Sequence, residues 1–399
     1  MEFKKYKIKD IGNVVGGATP LTKDPSNYDG DISWITPNDL SHHNEVYIST
    51  GERNITPKGL KEIGNSLLPK GTVLFSSRAP IGYVAIAAKE LCTNQGFKSV
   101  IPNTKIVHPE YLYYTFKIYK SHIEKRGAGT TFMEVSGSTM ESIELPFPSL
   151  DDQIKIADVL LKIDQKISLN TRMNAELEAM AKQLYDYWFI QFDFPDENGK
   201  PYKSSGGKMV YSPTLKREIP KEWCVKQMSD IAQIIAGRDC PKAFSLAKNE
   251  SYPIPIYSNG IDNNGLYGYT DKATSPEKSV TVSARGTIGY PILRLEPFVP
   301  IIRLIVATPF DEGADLYLYE YLRVIDIKNT GSVQPQLPVP EFSMITIPYP
   351  KDNQIIKLFS DLTRDWYKAI DKNRKYNEYL KNLRDSLLPM LMNGQVTVE

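Results

Sequence analysis

The sequence predicts an α+β protein with two mixed α/β domains in tandem, separated by two long helices that form an antiparallel coiled coil with pseudo-twofold symmetry. Three observations predict this fold. The chain repeats itself once at a period of about two hundred residues, which indicates two duplicated domains rather than a solenoid. Each half contains short β-branched and aromatic runs bounded by Gly, Pro and Asn. Each half then ends in a long helical pattern.

The repeat is clearest where each long helix begins. "LPFPSLDDQI" from Leu145 matches "IPYPKDNQII" from Ile347, so a Pro-aromatic-Pro triplet leads through a Gln-Ile pair into a helix twice. The preceding domains match more weakly but in the same order. For example, "GTVLFSSRAPIGY" from Gly71 resembles "KSVTVSARGTIGY" from Lys278.

Strands and a Tyr-rich helix make up each domain. Runs such as "TVLFSS", "YVAIAA", "SVTVSA" and "RLIVAT" have the composition of short strands. The helix contains "EYLYYTF" in the first domain and "LYLYEYL" in the second. We expect its tyrosines to pack in the core.

The two long helical patterns share a seam of apolar and Asn residues at alternating steps of four and three, the spacing of a coiled coil. Buried Asn fixes the register of such a seam, and matching Asn pairs favour pairing of the two helices over packing of each on its own domain. We expect about 25 to 30 helical residues, or roughly 40 Å. The predicted interface residues are Ile167, Asn170, Asn174, Leu177, Leu184, Ile370, Asn373, Asn377, Leu380 and Leu387.

A stretch rich in Gly, Pro, Ser and Lys follows the first helix, and it predicts a surface linker. Its "SSGGK" lacks the spacing of a phosphate-binding loop. The predicted ranges are 1–150 for the first domain, 151–190 for the first helix, 191–222 for the linker, 223–350 for the second domain, and 351–393 for the second helix and C-terminal tail.

Composition indicates a soluble globular protein, with 41% apolar and 24% charged residues. Three cysteines without a CxxC pair favour a reducing cytoplasm, and we expect no structural zinc because Cys and His do not cluster. The N-terminus lacks the apolar segment of a secretory signal, and we expect no membrane partner. A net charge of +1 neither demands nor excludes nucleic acid, so any charge used to bind DNA must be organised locally or shared with partner subunits.

The helix entries, together with the linker "WFIQFDFPDENGKPYKSSGGKMV" from Trp188, resemble the specificity subunit of type I restriction-modification systems. The resemblance covers nearly the whole chain and is weakest in the two domains. It implies that each domain recognises one half of a bipartite site in double-stranded DNA. It also implies that the helices set the spacing and dock two modification methyltransferase subunits, and restriction and translocase subunits through them. The chain itself would bind no cofactor, because S-adenosylmethionine, ATP and Mg²⁺ belong to the partner subunits.

Matching positions of the two domains indicate candidate DNA contacts. A Ser-X-Arg before a Gly turn offers a hydroxyl and a guanidinium, and loops rich in Asn offer amides that pair with adenine. An Arg that ties a loop to its own domain, or Asn-Gly turns without function, explain the same residues. The candidates in the first domain are Thr36, Asn38, Ser76, Ser77, Arg78, Asn94, Gln95, Lys98, Arg126, Thr130 and Thr131. Those in the second are Ser258, Asn259, Asn263, Asn264, Tyr267, Ser283, Arg285, Thr287, Arg303, Thr330 and Ser332.

The enzymatic alternative is a self-contained methyltransferase or nuclease. An amino-methyltransferase needs an Asn/Asp-Pro-Pro-aromatic loop and a Gly-rich cofactor loop, and the sequence has neither. "PDENGK" superficially resembles a nuclease metal motif but falls in the predicted linker. We therefore expect no catalytic residues. A coiled-coil scaffold without a DNA role would leave the matching Arg-Gly loops unexplained.

Overall fold

The computed structural model describes residues 1–78, 80–128, 133–327 and 336–398. The chain divides into two compact units. The first unit consists of Met1–Thr171 and Arg374–Glu399, and the second of Arg172–Asn373. Each unit mixes helices and strands, which confirms the predicted α+β class.

Within its described residues, the first unit has ten strands in three sheets. The strands are β1 Lys4–Lys7, β2 Gly12–Gly16, β3 Tyr28–Ile35, β4 Tyr47–Ile48, β5 Arg53–Ile55, β6 Val73–Phe75, β7 Val84–Ala87, β8 Cys92–Thr93, β9 Lys98–Pro102 and β10 Glu144–Phe147. One sheet has the order β2-β9-β6-β7-β4, another the order β5-β3-β8, and β1 pairs with β10.

The helices of the first unit cover this sheet core. They are α1 Ile8–Ile11, α2 Pro37–Ser41, α3 Pro57–Glu62, α4 Pro109–Ile118, α5 Lys120–Glu124, α6 Gly137–Ser142, the first part of α7 Leu150–Tyr185, and the last part of α11 Gln354–Met392. Tyr111 and Tyr114 of α4 are fully buried beside Phe75 and Phe116, as the core interpretation of the Tyr-rich helix predicts. A Tyr at these positions contributes a large apolar surface to the core.

The second unit contains a corresponding set of elements. Its strands are β11 Met209–Ser212, β12 Arg217–Pro220, β13 Trp223–Gln227, β14 Ala232–Ala236, β15 Ile254–Tyr257, β16 Leu266–Thr270, β17 Ser279–Val282, β18 Pro291–Arg294, β19 Val299–Pro300, β20 Ile305–Pro309 and β21 Thr346–Pro350. Its helices are the last part of α7, then α8 Met228–Ile231, α9 Ala314–Val324, α10 Val339–Ser343 and the first part of α11.

The two units share sheet topology. The order β14-β20-β17-β18 repeats β2-β9-β6-β7, the order β16-β15-β19 repeats β5-β3-β8, and the pair β13-β21 repeats β1-β10. The register repeats as well, since Val73 lies opposite Val100 and Val280 lies opposite Ala307. The described part of the first unit has β4 in addition. The duplication predicted from sequence is therefore confirmed at the level of strand pairing.

The long helices α7 and α11 have 36 and 39 residues. They are longer than the 25 to 30 residues expected, and at 1.5 Å per residue they measure about 54 and 58 Å. The expected length was too short because the helices continue beyond the seam residues on both sides, from Leu150 to Tyr185 and from Gln354 to Met392. Each helix contributes to both units, since the unit boundaries fall after Thr171 and Asn373.

Helix contacts run antiparallel within each unit. In the first unit Asp164 bonds Arg384, and Asn170 bonds Asn377 further along α7. In the second unit Asn373 bonds Asn174, while Phe359 packs on Tyr185. In both cases a later residue of α7 meets an earlier residue of α11, as the antiparallel prediction requires.

The predicted linker is more ordered than its composition indicates. It contains the hairpin β11-β12, and Phe192 and Phe194 are buried in the core of the second unit. Phe194 stacks between Tyr202 and Trp223, with ring centroids at 4.9 and 5.7 Å. The aromatic residues of "FDFP" therefore anchor a segment whose Gly, Ser and Lys content alone predicts a loop.

Candidate nucleic-acid interface

Three equivalent loops in each unit carry most of the predicted DNA-binding residues. In the first unit they follow β3, follow β6 and precede β9. In the second unit they follow β15, follow β17 and precede β20. Because these strands are equivalent in sheet order, the repeat places the loops at equivalent points of the two units.

Arg78 in the first unit lies beside a carboxylate. The backbone N–H of Val135 donates to the carbonyl of Ser77 at 3.0 Å, which brings Glu134 next to Arg78. The guanidinium lies 3.8 Å from the Glu134 carboxylate, and the Lys98 ammonium lies 3.2 Å from its other oxygen. Arg78 and Glu134 are each about one-third exposed. One carboxylate therefore faces two candidate DNA-binding cations at a solvent-accessible position.

Arg285 occupies the equivalent place in the second unit. The N–H of Leu337 donates to the carbonyl of Ala284 at 2.9 Å, repeating the Val135 bond of the first unit. The neighbouring residue is here Gln336, whose side-chain oxygen accepts from the Arg285 guanidinium at 3.3 Å. Arg285 and Thr287 are exposed. A neutral amide thus replaces the carboxylate of the first unit.

The serines of the two Ser-X-Arg segments are buried. Ser76 donates to the carbonyl of Pro80 and accepts from the N–H of Tyr83, both at 2.8 Å. Ser283 repeats this arrangement with the Thr287 carbonyl and the Tyr290 N–H. Ser77 donates to Gly96 at 3.1 Å. These hydroxyls fold the turn that presents the Arg, and they do not face solvent.

The loop between β15 and β16 has one Asn that bonds the neighbouring loops and an exposed tip. Asn259 uses its amide internally, donating to the Ile302 carbonyl at 2.6 Å and accepting from the Ala284 N–H at 2.7 Å. Asn263 at the tip is exposed, and Asn264 is half-buried. Asn259 therefore joins the three loops of this unit, while the tip faces outward.

Other candidates near this loop differ in exposure. The Ser258 hydroxyl lies 3.4 Å from the Gly265 carbonyl, and Tyr267 is 43% exposed against the ring of Phe244. Arg303 is exposed, with a left-handed φ of 61°. Its N–H donates to the carbonyl of Gly237 at 3.0 Å.

Arg238 is a cation that the sequence analysis missed. It is exposed, and its carbonyl accepts from the N–H of Ile302 at 2.9 Å, next to Arg303. With Arg285 on the neighbouring loop, the second unit gathers three arginines in a chain whose net charge is only +1. Its position after β14 was the available signal, because the equivalent segment of the first unit is "GGATP" and has no cation.

In the first unit, the loop after β3 begins α2. Thr36 caps this helix, and Asp39 accepts from its backbone N–H and its hydroxyl, both at 2.7 Å. Asn38 is exposed beside them. Asn94 accepts from the Gly96 N–H at 2.9 Å, and Gln95 accepts from Thr19. Asn38 and Gln95 are thus the exposed members of this group, whereas Thr36 and Asn94 are half-buried.

Five candidates remain. Arg126 is exposed in the turn after α5. Thr130, Thr131, Thr330 and Ser332 lie outside the described residues.

The predicted helix-interface residues divide between the units. In the first unit Asn170 donates to Asn377 at 2.8 Å, Asn377 donates to the Ile167 carbonyl at 3.3 Å, and Leu380 and Leu387 are buried or half-buried. In the second unit Asn373 donates to Asn174 at 2.9 Å, and Asn174 donates to the Ile370 carbonyl at 3.3 Å. Leu177 and Leu184 pack on the core of that unit.

Each unit has a largely buried ion pair on its long helices. In the first unit Asp164 accepts from Tyr114 of α4 and from Arg384 of α11, both at 2.6 Å. In the second unit Asp315 of α9 accepts two bonds from Arg364 of α11, at 2.5 and 2.7 Å. Burial lowers the pKa of Arg364, but the bonded Asp315 outweighs burial and raises it. The pKa of Arg384 is raised in the same way by Asp164, so both arginines stay charged. Arg364 ties α11 to α9, whereas Arg384 ties α11 to α7, and Tyr114 links that pair to α4.

The described residues offer neither a metal site nor a membrane span. Within those ranges, no group of three or more His, Cys, Asp or Glu residues is arranged to hold a metal ion. In the same ranges, no helix is both long and apolar enough to cross a membrane.

Both halves of the chain match the sequence model of one known family. The sequence model of the type I restriction modification DNA specificity domain matches residues 1–179 and 220–376. The chain belongs to this family, and the resemblance seen in its helix entries and linker is confirmed.

Curated relatives agree along nearly the full length. The chain is 37% identical over 417 residues to the type I restriction enzyme MjaIX specificity subunit of Methanocaldococcus jannaschii, covering 98% of this chain and 93% of the relative. It is 26% identical over 471 residues to the HindI specificity subunit of Haemophilus influenzae, covering 99% and 100%.

A solved structure shows the same fold. The S subunit of a type I restriction-modification system from M. genitalium superposes with a TM-score of 0.68, covering 98% of this chain and 96% of that one. The two sequences are 16% identical, so the likeness concerns the fold and not individual contacts.

Proposed function

We propose that the chain is the DNA-recognition subunit of a type I restriction-modification complex, in which each unit recognises one half of a bipartite site in duplex DNA. The observation that carries this proposal is the pair of equivalent arginine loops, at Arg78 and Arg285, on two copies of one scaffold. Family membership supports it. An exposed Arg at the end of a strand can bond phosphate or the O6 and N7 atoms of guanine.

In this proposal the chain is not a catalyst. Methylation of adenine and cleavage of DNA would belong to two modification subunits and to the restriction subunits bound through them. S-adenosylmethionine, ATP and Mg²⁺ would be bound by those partners. The DNA partner would place the chain in the cytoplasm. The long helices α7 and α11 would dock the modification subunits and set the spacing between the two half-sites.

The test is a genome-wide map of methylated bases in cells that carry the chain with its partner subunits. The variants are Arg78→Ala and Arg285→Ala, with Lys61→Ala, an exposed residue of α3, as control. We expect each Arg variant to alter or weaken one half of the methylated site and to leave the other half unchanged. A lost base contact relaxes one position at a cost of about 1–3 kcal/mol, whereas a lost phosphate contact weakens binding to all sequences alike.

A second variant addresses the helices. Four residues are inserted after Ala175 and four after Lys372, so that both antiparallel helices lengthen by about one turn, or 5.4 Å. We expect the gap between the half-sites to grow by one or two base pairs while each half keeps its sequence. Methylation that does not depend on the chain, or an insertion that changes bases within a half-site, would contradict the proposal.

A further inference from the structure

The tip of the loop between β15 and β16 has an unusual backbone. Asn263 and Asn264 both lie in the left-handed region, with φ of 48° and 53°. L-residues other than Gly adopt this region at a cost, and Asn tolerates it better than most. Gly265 follows with φ of 75°, and a Cβ there would lie 2.5 Å from the carbonyl oxygen of Ser258. Two consecutive left-handed Asn residues persist only if the surroundings hold them.

Arg294 of β18 supplies a bond that holds this tip. It is 3% exposed, and its guanidinium donates to the carbonyl of Asn264 at 2.9 Å and to the hydroxyl of Thr281 at 2.9 Å. The guanidinium also lies 3.6 Å from the ring centroid of Tyr257. Burial lowers the pKa of Arg294 to about 10, so the group is charged at neutral pH. Such a charged donor bonds a carbonyl more strongly than a neutral one.

The first unit has no equivalent of this arrangement among its described residues. Strand register places Ala87 of β7 where Arg294 stands in β18, since Val73 lies opposite Ile86 and Val280 lies opposite Leu293. The loop after β3 forms α2 instead, with Thr36 as its cap. Among the described residues, the Arg is therefore present in the unit that has the left-handed loop and is not part of the scaffold that both units share.

The asparagines of the loop differ in what their amides do. Asn259 uses both amide atoms for internal bonds. Asn263 is exposed, and its amide bonds no residue that the structure describes. An amide with free donor and acceptor can pair bidentately with the N6 and N7 atoms of adenine in the major groove. Asn263 has this chemistry at the outermost point of the loop.

We propose that Asn263 recognises an adenine in the half-site of the second unit and that Arg294 is the positioning residue that fixes the left-handed backbone presenting it. This inference rests on the proposed function. It adds the residue, the base and the internal support that give one position of the site its specificity.

The experiment selects the purified full chain against a fully randomised duplex DNA library and sequences the bound fraction. Asn263→Gly removes the amide and keeps a left-handed backbone, because Gly adopts positive φ without strain. Asn264→Gly is the matched control at the neighbouring position. Asn263→Asp keeps the shape but loses the donor, and a carboxylate accepts from cytosine N4. Arg294→Met removes the donors and retains apolar bulk, and Arg294→Lys restores one charged donor.

We expect the wild-type chain to enrich a two-part motif. Asn263→Gly should lower the preference for adenine at one position of one half by about 5- to 150-fold, and Asn263→Asp should shift that position toward cytosine. Asn264→Gly should keep the motif. Arg294→Met should lose the adenine preference at that position, while the rest of the motif and the melting temperature stay unchanged. Arg294→Lys should recover part of the preference.

Two results would overturn the inference while the proposed function stands. One is an unchanged motif with Asn263→Gly. The other is an Arg294→Met chain that either keeps the adenine preference or loses the whole second half together with its melting temperature, which would make Arg294 purely structural. Enrichment of no two-part motif by the wild-type chain would instead overturn the proposed function.

Discussion

Arg78 and Arg285 occupy equivalent positions in the two units but have different partners. Arg78 shares Glu134 with Lys98, whereas Arg285 bonds the neutral Gln336. The second cation of the first unit, Lys98, is also missing from the second unit. Lys98 pairs across the sheet with Gly16, and the equivalent pair in the second unit is Ile305 with Ala236.

This comparison separates scaffold from surface. The backbone bonds that set the Arg beside its partner are the same in both units, at 3.0 and 2.9 Å. The charge around the Arg differs between the units. In the first unit one carboxylate, Glu134, faces two cations, whereas in the second unit the partner Gln336 is neutral and does not compensate the guanidinium charge. Duplication has preserved the presentation of the Arg and changed its electrostatics.

The largest effect is expected where each unit holds its helices. Asp315→Ala removes both carboxylate bonds of Arg364, a residue with a 16% exposed side chain, and should destabilise the second unit by about 3–5 kcal/mol. Asp164→Ala also frees the Tyr114 hydroxyl, but it should cost the first unit less. Arg384 keeps a carboxylate partner in Asp385 at 2.9 Å, whereas Arg364 keeps the neutral Ser360 hydroxyl at 2.6 Å. Urea unfolding gives the magnitude, and hydrogen exchange shows which unit opens.

Asp315→Asn is the matched control, since it keeps the shape and one acceptor. Equal loss of protection in both units after either Ala substitution would show that the units do not unfold separately, and the comparison would fail.

A reciprocal exchange tests the electrostatic difference directly. Glu134→Gln gives the first unit the partner found in the second and frees Arg78 and Lys98 for phosphate. DNA binding should tighten, and its salt dependence should steepen by about 0.9 in log–log slope for each additional phosphate that the chain neutralises. Gln336→Glu should weaken binding and flatten the slope. Titration of the purified chain with its duplex site at several salt concentrations measures both.

Weaker binding by Glu134→Gln would reverse the interpretation. The carboxylate would then serve to orient Arg78 and Lys98 rather than to compete with phosphate for them.

The smallest change in stability is expected for side-chain hydrogen bonds in the loops after the equivalent strands β3 and β15. Asp39→Ala removes the capping box at Thr36 and an N–H bond from Glu52 at 2.7 Å, and should cost about 1 kcal/mol. Ser258→Ala in the second unit should cost less than about 0.5 kcal/mol, because its hydroxyl bond is long at 3.4 Å. Thermal melting of both variants checks the order, and a larger loss for Ser258→Ala would contradict it.

The sequence predicts the fold more fully than the site. The duplicated helix entries and the seam asparagines carry the fold, because apolar periodicity and register are local patterns. The burial of Ser76, Ser77 and Ser283 could not be predicted, since it depends on how the turn closes onto Pro80, Gly96 and Thr287.

Two further site features depend on contacts distant in sequence. Arg294 reaches a loop 30 residues earlier in the chain, and Glu134 meets Lys98 from 36 residues away. Alignment of the halves identifies the paired arginines but not their partners. The burial of Phe192 and Phe194 was not predicted, because the Gly, Ser and Lys residues that follow them indicated a surface linker.

The first unit is completed by residues 374–399, and Leu391 and Met392 are buried in the same core as Ile8 and Ile11. During synthesis the ribosome delivers residues 172–373 as one uninterrupted stretch, so the second unit can fold as soon as it emerges. The first unit must wait, with part of its core unfilled, until the last helix has left the exit tunnel. Domains generally fold in the order in which they are made, and here the segment made first finishes last.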